Sequence, residues 1–132
     1  MNLKFLLIIL ITLATVFYSC DDTVTNSDID SKIIPDKNVS FGEYIQPVIY
    51  IKCSAIGYCH GVDETGAQGG VILTNWDTIT EYVVPGDIET SRLAQIVDGT
   101  VKTHPAVPDN LKLTDNQIKG ILTWIKEGAQ NN

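Results

Sequence analysis

IKCSAIGYCHG, residues 51–61, sets two cysteines six positions apart and follows the second at once with a histidine. This combination of two thiols and an imidazole admits two readings. Either Cys53 and Cys59 close a small disulfide with His60 merely beside it, or the two sulfurs hold a group covalently while His60 binds its metal from one side. The intervening SAIGY, extended, would reach about 20 Å at ~3.3–3.6 Å per residue, far more than the second arrangement needs, so the loop must bulge. Gly57 supplies a permissive backbone for that.

The start of the chain indicates which compartment these cysteines meet. MNLKFLLIILITLATVFYSC carries one positive residue, Lys4, then an apolar run from Phe5 to Tyr18 broken only by Thr12 and Thr15. Such a run is short for a bilayer span and fits the apolar region of an export signal over residues 1–19. A cysteine directly after the run and behind Ser19 resembles the lipobox of bacterial lipoproteins. That resemblance implies a lipidated Cys20 as the mature N-terminus, although Phe17 and Tyr18 are bulkier than the residues usual there. The expected location is the cell envelope, lipid-anchored to a bacterial membrane on its periplasmic face or at the cell surface.

The net charge of −7 becomes −8 once Lys4 leaves with the signal, and the isoelectric point is near 4.5. This acidity argues against nucleic acid as a partner and against electrostatic binding to anionic lipid, so membrane attachment rests on the lipid anchor. The stretch DDTVTNSDIDSKIIPDKN has five aspartates and no helical or strand period. It reads as an acidic flexible tether over 20–39. Acidic residues just after a lipidated cysteine also resemble the surface-export signals of some Bacteroidetes-type lipoproteins. What remains, 40–130, is one domain's worth of chain. A core that small gains from a covalent cofactor or a disulfide.

The pattern in that domain is helical. Ser40 and Glu43 form a capping-box pair ahead of Tyr44, Ile45, Val48, Ile49 and Lys52 at helical spacing, with Pro47 either kinking the helix or moving its start toward Gln46. Thr114 and Gln117 form a second pair before the stripe Ile118, Ile121, Leu122, Ile125, and Gly128 supplies the stop. Asn75 is placed to cap a short helix running to Val83, and Asp87 to cap one carrying Leu93, Ile96 and Val97. GVDETGAQGG and DGTVKTHPAVPDN read as loops, and GGVILT as a weak strand or an extended loop lying against a cofactor.

In C-x-x-C-H sites, two cysteine sulfurs add to the haem vinyl groups and the histidine binds the iron. Cys59-His60-Gly61 keeps the half of this motif that carries the iron ligand, with five residues where two are usual. A zinc site using both cysteines and both histidines has neither finger spacing nor a way for adjacent Cys59 and His60 to share one tetrahedral ion easily. No nucleophile with base and orienting acid, phosphate loop or carboxylate pair stands out.

The order of features through the rest of the chain adds to this: IQPV in a first helix, the cysteine–histidine–glycine site, GGVIL, VPGDIETSRL, a proline loop, then LTDNQIKGILTWIKEGA. From Phe41 to Ala129 this resembles the small single-haem cytochrome c domains of exported bacterial proteins, including those of planctomycete type. The resemblance implies an all-α fold with long loops around haem c, whose first and last helices cross. It implies Cys53 and Cys59 as the covalent attachment and His60 as the proximal iron ligand. Gly120 and Trp124 would suit a close crossing, with Trp124 a core aromatic and Trp76 and Tyr82 packing residues. These relatives commonly carry a methionine ligand where this chain has Val107-Pro108, and the chain's only methionine is Met1. His104 in the same loop is the candidate distal ligand, giving a bis-histidine iron of lower potential than a histidine–methionine one. The implied function is electron transfer to a redox partner, with a basic partner favoured by the acidic surface. The alternatives are a haem sensor or enzyme with an open iron site, and a haem-free interaction domain with a Cys53–Cys59 disulfide.

Overall fold

A lysine caps the backbone where a proline breaks it, and that pairing shows how the N-terminal segment joins the body. The computed structural model describes residues 24–54, 59–61 and 67–132; Cys20 and the signal segment lie outside these. Ser40 accepts from Glu43 N, and the chain opens with one π turn, Phe41–Ile45, before helix α2, Gln46–Lys52. Pro47 has no N–H to give to the carbonyl of Glu43 four residues back. That carbonyl instead accepts from Lys32 Nζ at 2.9 Å, and Gln46 N reaches back to Phe41 O in the wider π pattern.

Five α-helices and no strand are present among the described residues. Besides α2 they are α1 Asn26–Ser31, α3 Trp76–Thr80, α4 Arg92–Val97 and α5 Asp115–Lys126. Helix α5 starts on the expected reciprocal box of Thr114 and Gln117 and stops at Gly128, φ +101°. Asn75 caps α3, which ends at Thr80, short of Val83. Asp87 does not cap α4: its carboxylate accepts from Glu89 N, Thr90 N and Thr90 Oγ1, closing the turn ahead of Ser91. These bonds hold the Asp87 carboxyl below its usual value, the Thr90 hydroxyl contributing most. Ser91, fully buried, precedes α4 and binds back to Val84 and Asp87. The stretch 98–108 is irregular and ends at a short 3₁₀ turn, Asp109–Leu111.

The core joins Ile45, Ile49 and Val48 of the first helical segment to Ile121, Trp124 and Ile125 of α5, with Ile79, Leu93 and Ala94 from the short helices between. Phe41 and Trp124 meet with ring centroids 5.4 Å apart. The indole N–H of Trp124 donates to Gln130 O and that of Trp76 to Ala129 O, both at 2.9 Å, so each aromatic packs with its polar edge satisfied.

Residues 26–39 correct the expectation of a flexible tether. Ile29, Ile34 and Val39 are buried in this core. Helix α5 supplies the polar side of the contact. Asn116 exchanges two bonds with the backbone of Ile34, Gln117 donates to Ile29 O, and the Glu127 carboxylate accepts from Asn38 N and Val39 N. The packed body therefore starts well before residue 40. A polar composition misleads here because three well-placed aliphatic side chains dock a segment whose backbone groups find partners on another helix.

Gly120 makes a close contact with Ile34. A Cβ there would come within 2.6 Å of Ile34 Cγ2. Alanine gains about 1 kcal/mol of helix propensity over glycine, but overpacking costs about 1–3 kcal/mol. Gly120→Ala is expected to lower the melting temperature by several degrees, at ~4–8 °C per kcal/mol for a domain of this size. A thermal melt of the variant beside the parent measures it.

Candidate functional site

Cys53 follows the last turn of α2, its N–H bonded to Ile49 O at 2.8 Å. The chain then leaves and returns, and His60 N donates to Cys53 O at 3.0 Å. The wide cysteine spacing is thus closed at its base by a backbone bond. The middle of that loop, 55–58 including Gly57, lies outside the described residues. On the other side, Leu73 N donates to His60 O at 2.9 Å, and the buried Ser54 hydroxyl donates to Leu73 O at 2.6 Å. The extended segment Val71–Thr74 therefore lies along the histidine rather than in a sheet.

The two histidines, forty-four residues apart in sequence, come together. Their ring centroids are 5.9 Å apart with an interplanar angle of 53°. His60 Nδ1 lies 3.1 Å from Val71 O, and His104 Nδ1 lies 2.9 Å from Pro105 O. A carbonyl can only accept, so each contact is made by the Nδ1–H form of the ring, the tautomer that leaves Nε2 as the nitrogen able to bind a metal. Commitment of one ring N–H to a backbone carbonyl is the usual support for a metal-binding histidine. Two imidazoles joined to one ion by bonds of about 2 Å on opposite sides have ring centres about 6 Å apart. The observed 5.9 Å is close to that value and is also within the range of an ordinary tilted ring contact.

Burial lowers the pKa of His60 from 6.5; its bond to Val71 works the other way, and the neighbouring His104 adds to the lowering. The ring is thus held neutral, the form that binds a metal. Since the folded value lies below the unfolded one, the unfolded chain takes up the proton first as pH falls. The contribution to stability is complete above about pH 6.5 and is lost as pH falls toward the lower folded value. The cofactor-free protein is therefore expected to lose urea resistance between about pH 7 and that value, and His60→Gln to reduce this loss. Urea midpoints across the range measure both.

Cys53 and Cys59 are free thiols, both half-buried. Burial pushes the Cys53 thiol up to about 12, and the adjacent Cys59 adds to the rise. A thiol that far from ionising is a poor nucleophile, which argues against reading Cys53 and His60 as a catalytic pair. Among the described residues no three cysteine, histidine or acidic side chains converge as a metal cage, so the four donors do not form a closed tetrahedral site. The fold instead gathers Cys53, Cys59, His60 and His104 from two loops, two thiols and two imidazoles in one region of the surface. An open hollow of about 350 Å³ on the outer face of α5, lined in part by Ile88, Ile118 and Leu122, includes neither histidine.

Lys52 and the carbonyls of Val71 and Leu73 are contributors the sequence reading passed over. Lys52 had a signal, a lysine within an apolar helical stripe; the carbonyls had none, since any residue type supplies one. Among the described residues no helix is long and apolar enough to cross a membrane. No protein-family model matches the chain, and no curated protein and no solved structure matches it.

Proposed function

We propose that this chain is a membrane-tethered c-type cytochrome, transferring single electrons through one haem held covalently by Cys53 and Cys59 and ligated by His60 and His104. One observation carries the reading: two imidazoles at 5.9 Å, each with Nδ1 committed to a backbone carbonyl. The helical body is read accordingly as cytochrome c-like, with the first helical segment joined to the last helix through Phe41 and Trp124. Lipidation at Cys20 supplies the attachment to the envelope.

When bound, the haem supplies an iron that accepts one electron from a reduced donor and passes it to an oxidised acceptor. The chain's own part is to hold His60 neutral and oriented by Cys53 O, Val71 O and Leu73 N, and to bring His104 against it. A second imidazole in place of methionine places the potential on the low side. The net charge of −8 of the chain from Cys20 onward favours a basic partner and makes association weaken with salt.

The full chain, produced in a host with competent cytochrome maturation, is expected to be coloured. Its reduced spectrum should be sharp and low-spin, and acid-acetone should leave the haem with the protein. A colourless protein from such a host overturns the proposal and leaves residues 51–61 as a thiol loop.

A further inference from the structure

Lys52 is a buried ammonium on an otherwise apolar helical face, its side chain only 1% exposed. Burying such a charge is unfavourable unless all its N–H groups are used, and a well-packed apolar side chain usually serves stability as well. Here the ammonium is fully engaged. It meets Asp30 Oδ1 at 2.8 Å and Oδ2 at 3.0 Å, and donates to Asn110 O at 3.1 Å. Asp30 Oδ1 also accepts from Gln117 Nε2 at 3.0 Å, and Gln117 Oε1 accepts from Thr114 N at the start of α5. One charge thus links α1, α2, α5 and the turn that ends the His104 loop.

The contact to Asn110 is the informative one. His104 is exposed, and its ring lies within hydrogen-bond distance of the carbonyl of its neighbour Pro105. The loop is anchored at its near end by Val101 N to Gln95 O at 2.8 Å. Among the described residues, the bond from Lys52 to Asn110 is the hydrogen bond that ties the stretch 102–110 to the rest of the body. Lys52 also directly precedes Cys53, so the same side chain joins the two halves of the site.

We infer that Lys52, held in place by Asp30, is a positioning residue for His104, so that docking of α1 controls whether the second imidazole faces His60. This rests on the reading of His104 as an iron ligand, but its test does not need the iron. The full chain is prepared without haem as the parent, as Lys52→Met and as Asp30→Asn. Amide exchange and the cross-peak between the His60 and His104 ring protons are then recorded for each.

The parent is expected to show the cross-peak. In both variants it should vanish and exchange at Leu111 and Lys112 should quicken by about tenfold or more, while the core amides of α5 keep their protection. The haem-loaded variants should gain a high-spin fraction. If Lys52→Met does not fold, Asp30→Asn, which keeps the lysine and the shape of its partner, decides alone. A parent without the cross-peak overturns the inference, as do folded variants with an unchanged cross-peak and unchanged exchange. A parent that shows the cross-peak yet never takes up haem refutes the proposed function while leaving the positioning role of Lys52 in place.

Discussion

With the proposed haem bound, replacing His104 by alanine is expected to leave it covalently attached but to turn a low-spin iron into a high-spin one that binds carbon monoxide when reduced. Replacing Cys53 and Cys59 together by serine will instead let acid-acetone extract all the haem. The two outcomes differ because the structure treats the groups differently. His60 is fixed through its N–H, its carbonyl and its ring by Cys53, Leu73 and Val71, and it directly follows Cys59. His104 sits exposed on an irregular loop, so on the proposed reading its removal would open one coordination position without disturbing the attachment. Absorption spectra of the reduced variants, with and without carbon monoxide, read the first result. Spectra of the protein and of the extract read the second. A low-spin spectrum retained in His104→Ala would show that His104 is not the distal ligand.

A chain beginning at residue 40 will fail to fold, whereas one beginning at residue 24 will melt within a few degrees of the full chain. Deletion to residue 40 removes the buried Ile29, Ile34 and Val39. Each is worth about 1.5–3 kcal/mol of apolar burial, together comparable with the ~5–15 kcal/mol that holds a typical domain folded. It also strands the polar groups on the other side of the contact. Lys52 loses Asp30, the counter-charge its ammonium binds. The Glu127 carboxylate and the Asn116 amide lose the backbone groups they bind. Circular dichroism and thermal unfolding of the two shortened chains decide the matter. Cooperative unfolding of the shorter one near the parent's melting temperature would mean that the N-terminal segment is only laid on the surface.

Local signals in the chain identified local structure. The capping box of Thr114 and Gln117, the aliphatic stripe of α5 and the stop at Gly128 all depend on neighbours within a turn or two, and the structure has each of them. Asp87 was read as a helix cap and instead closes a turn, since aspartate serves either purpose and the packing of Ser91 chose between them. Pro47 shows the same limit: its missing N–H was predictable, but the π turn and the lysine that caps the freed carbonyl came from a segment that looked like a linker.

By itself the sequence determined the helical class, the start and stop of α5, the acidic charge and the adjacency of Cys59 and His60. Tertiary structure decided that residues 26–39 belong to the core, that Gly120 receives Ile34, that Lys52 is buried with Asp30 and Asn110, and that His104 meets His60. The physical reason is the reach of the forces involved. Helical period and capping act over three or four residues. The contacts that docked the N-terminal segment join groups more than eighty residues apart, through backbone carbonyls and amides that every residue carries alike.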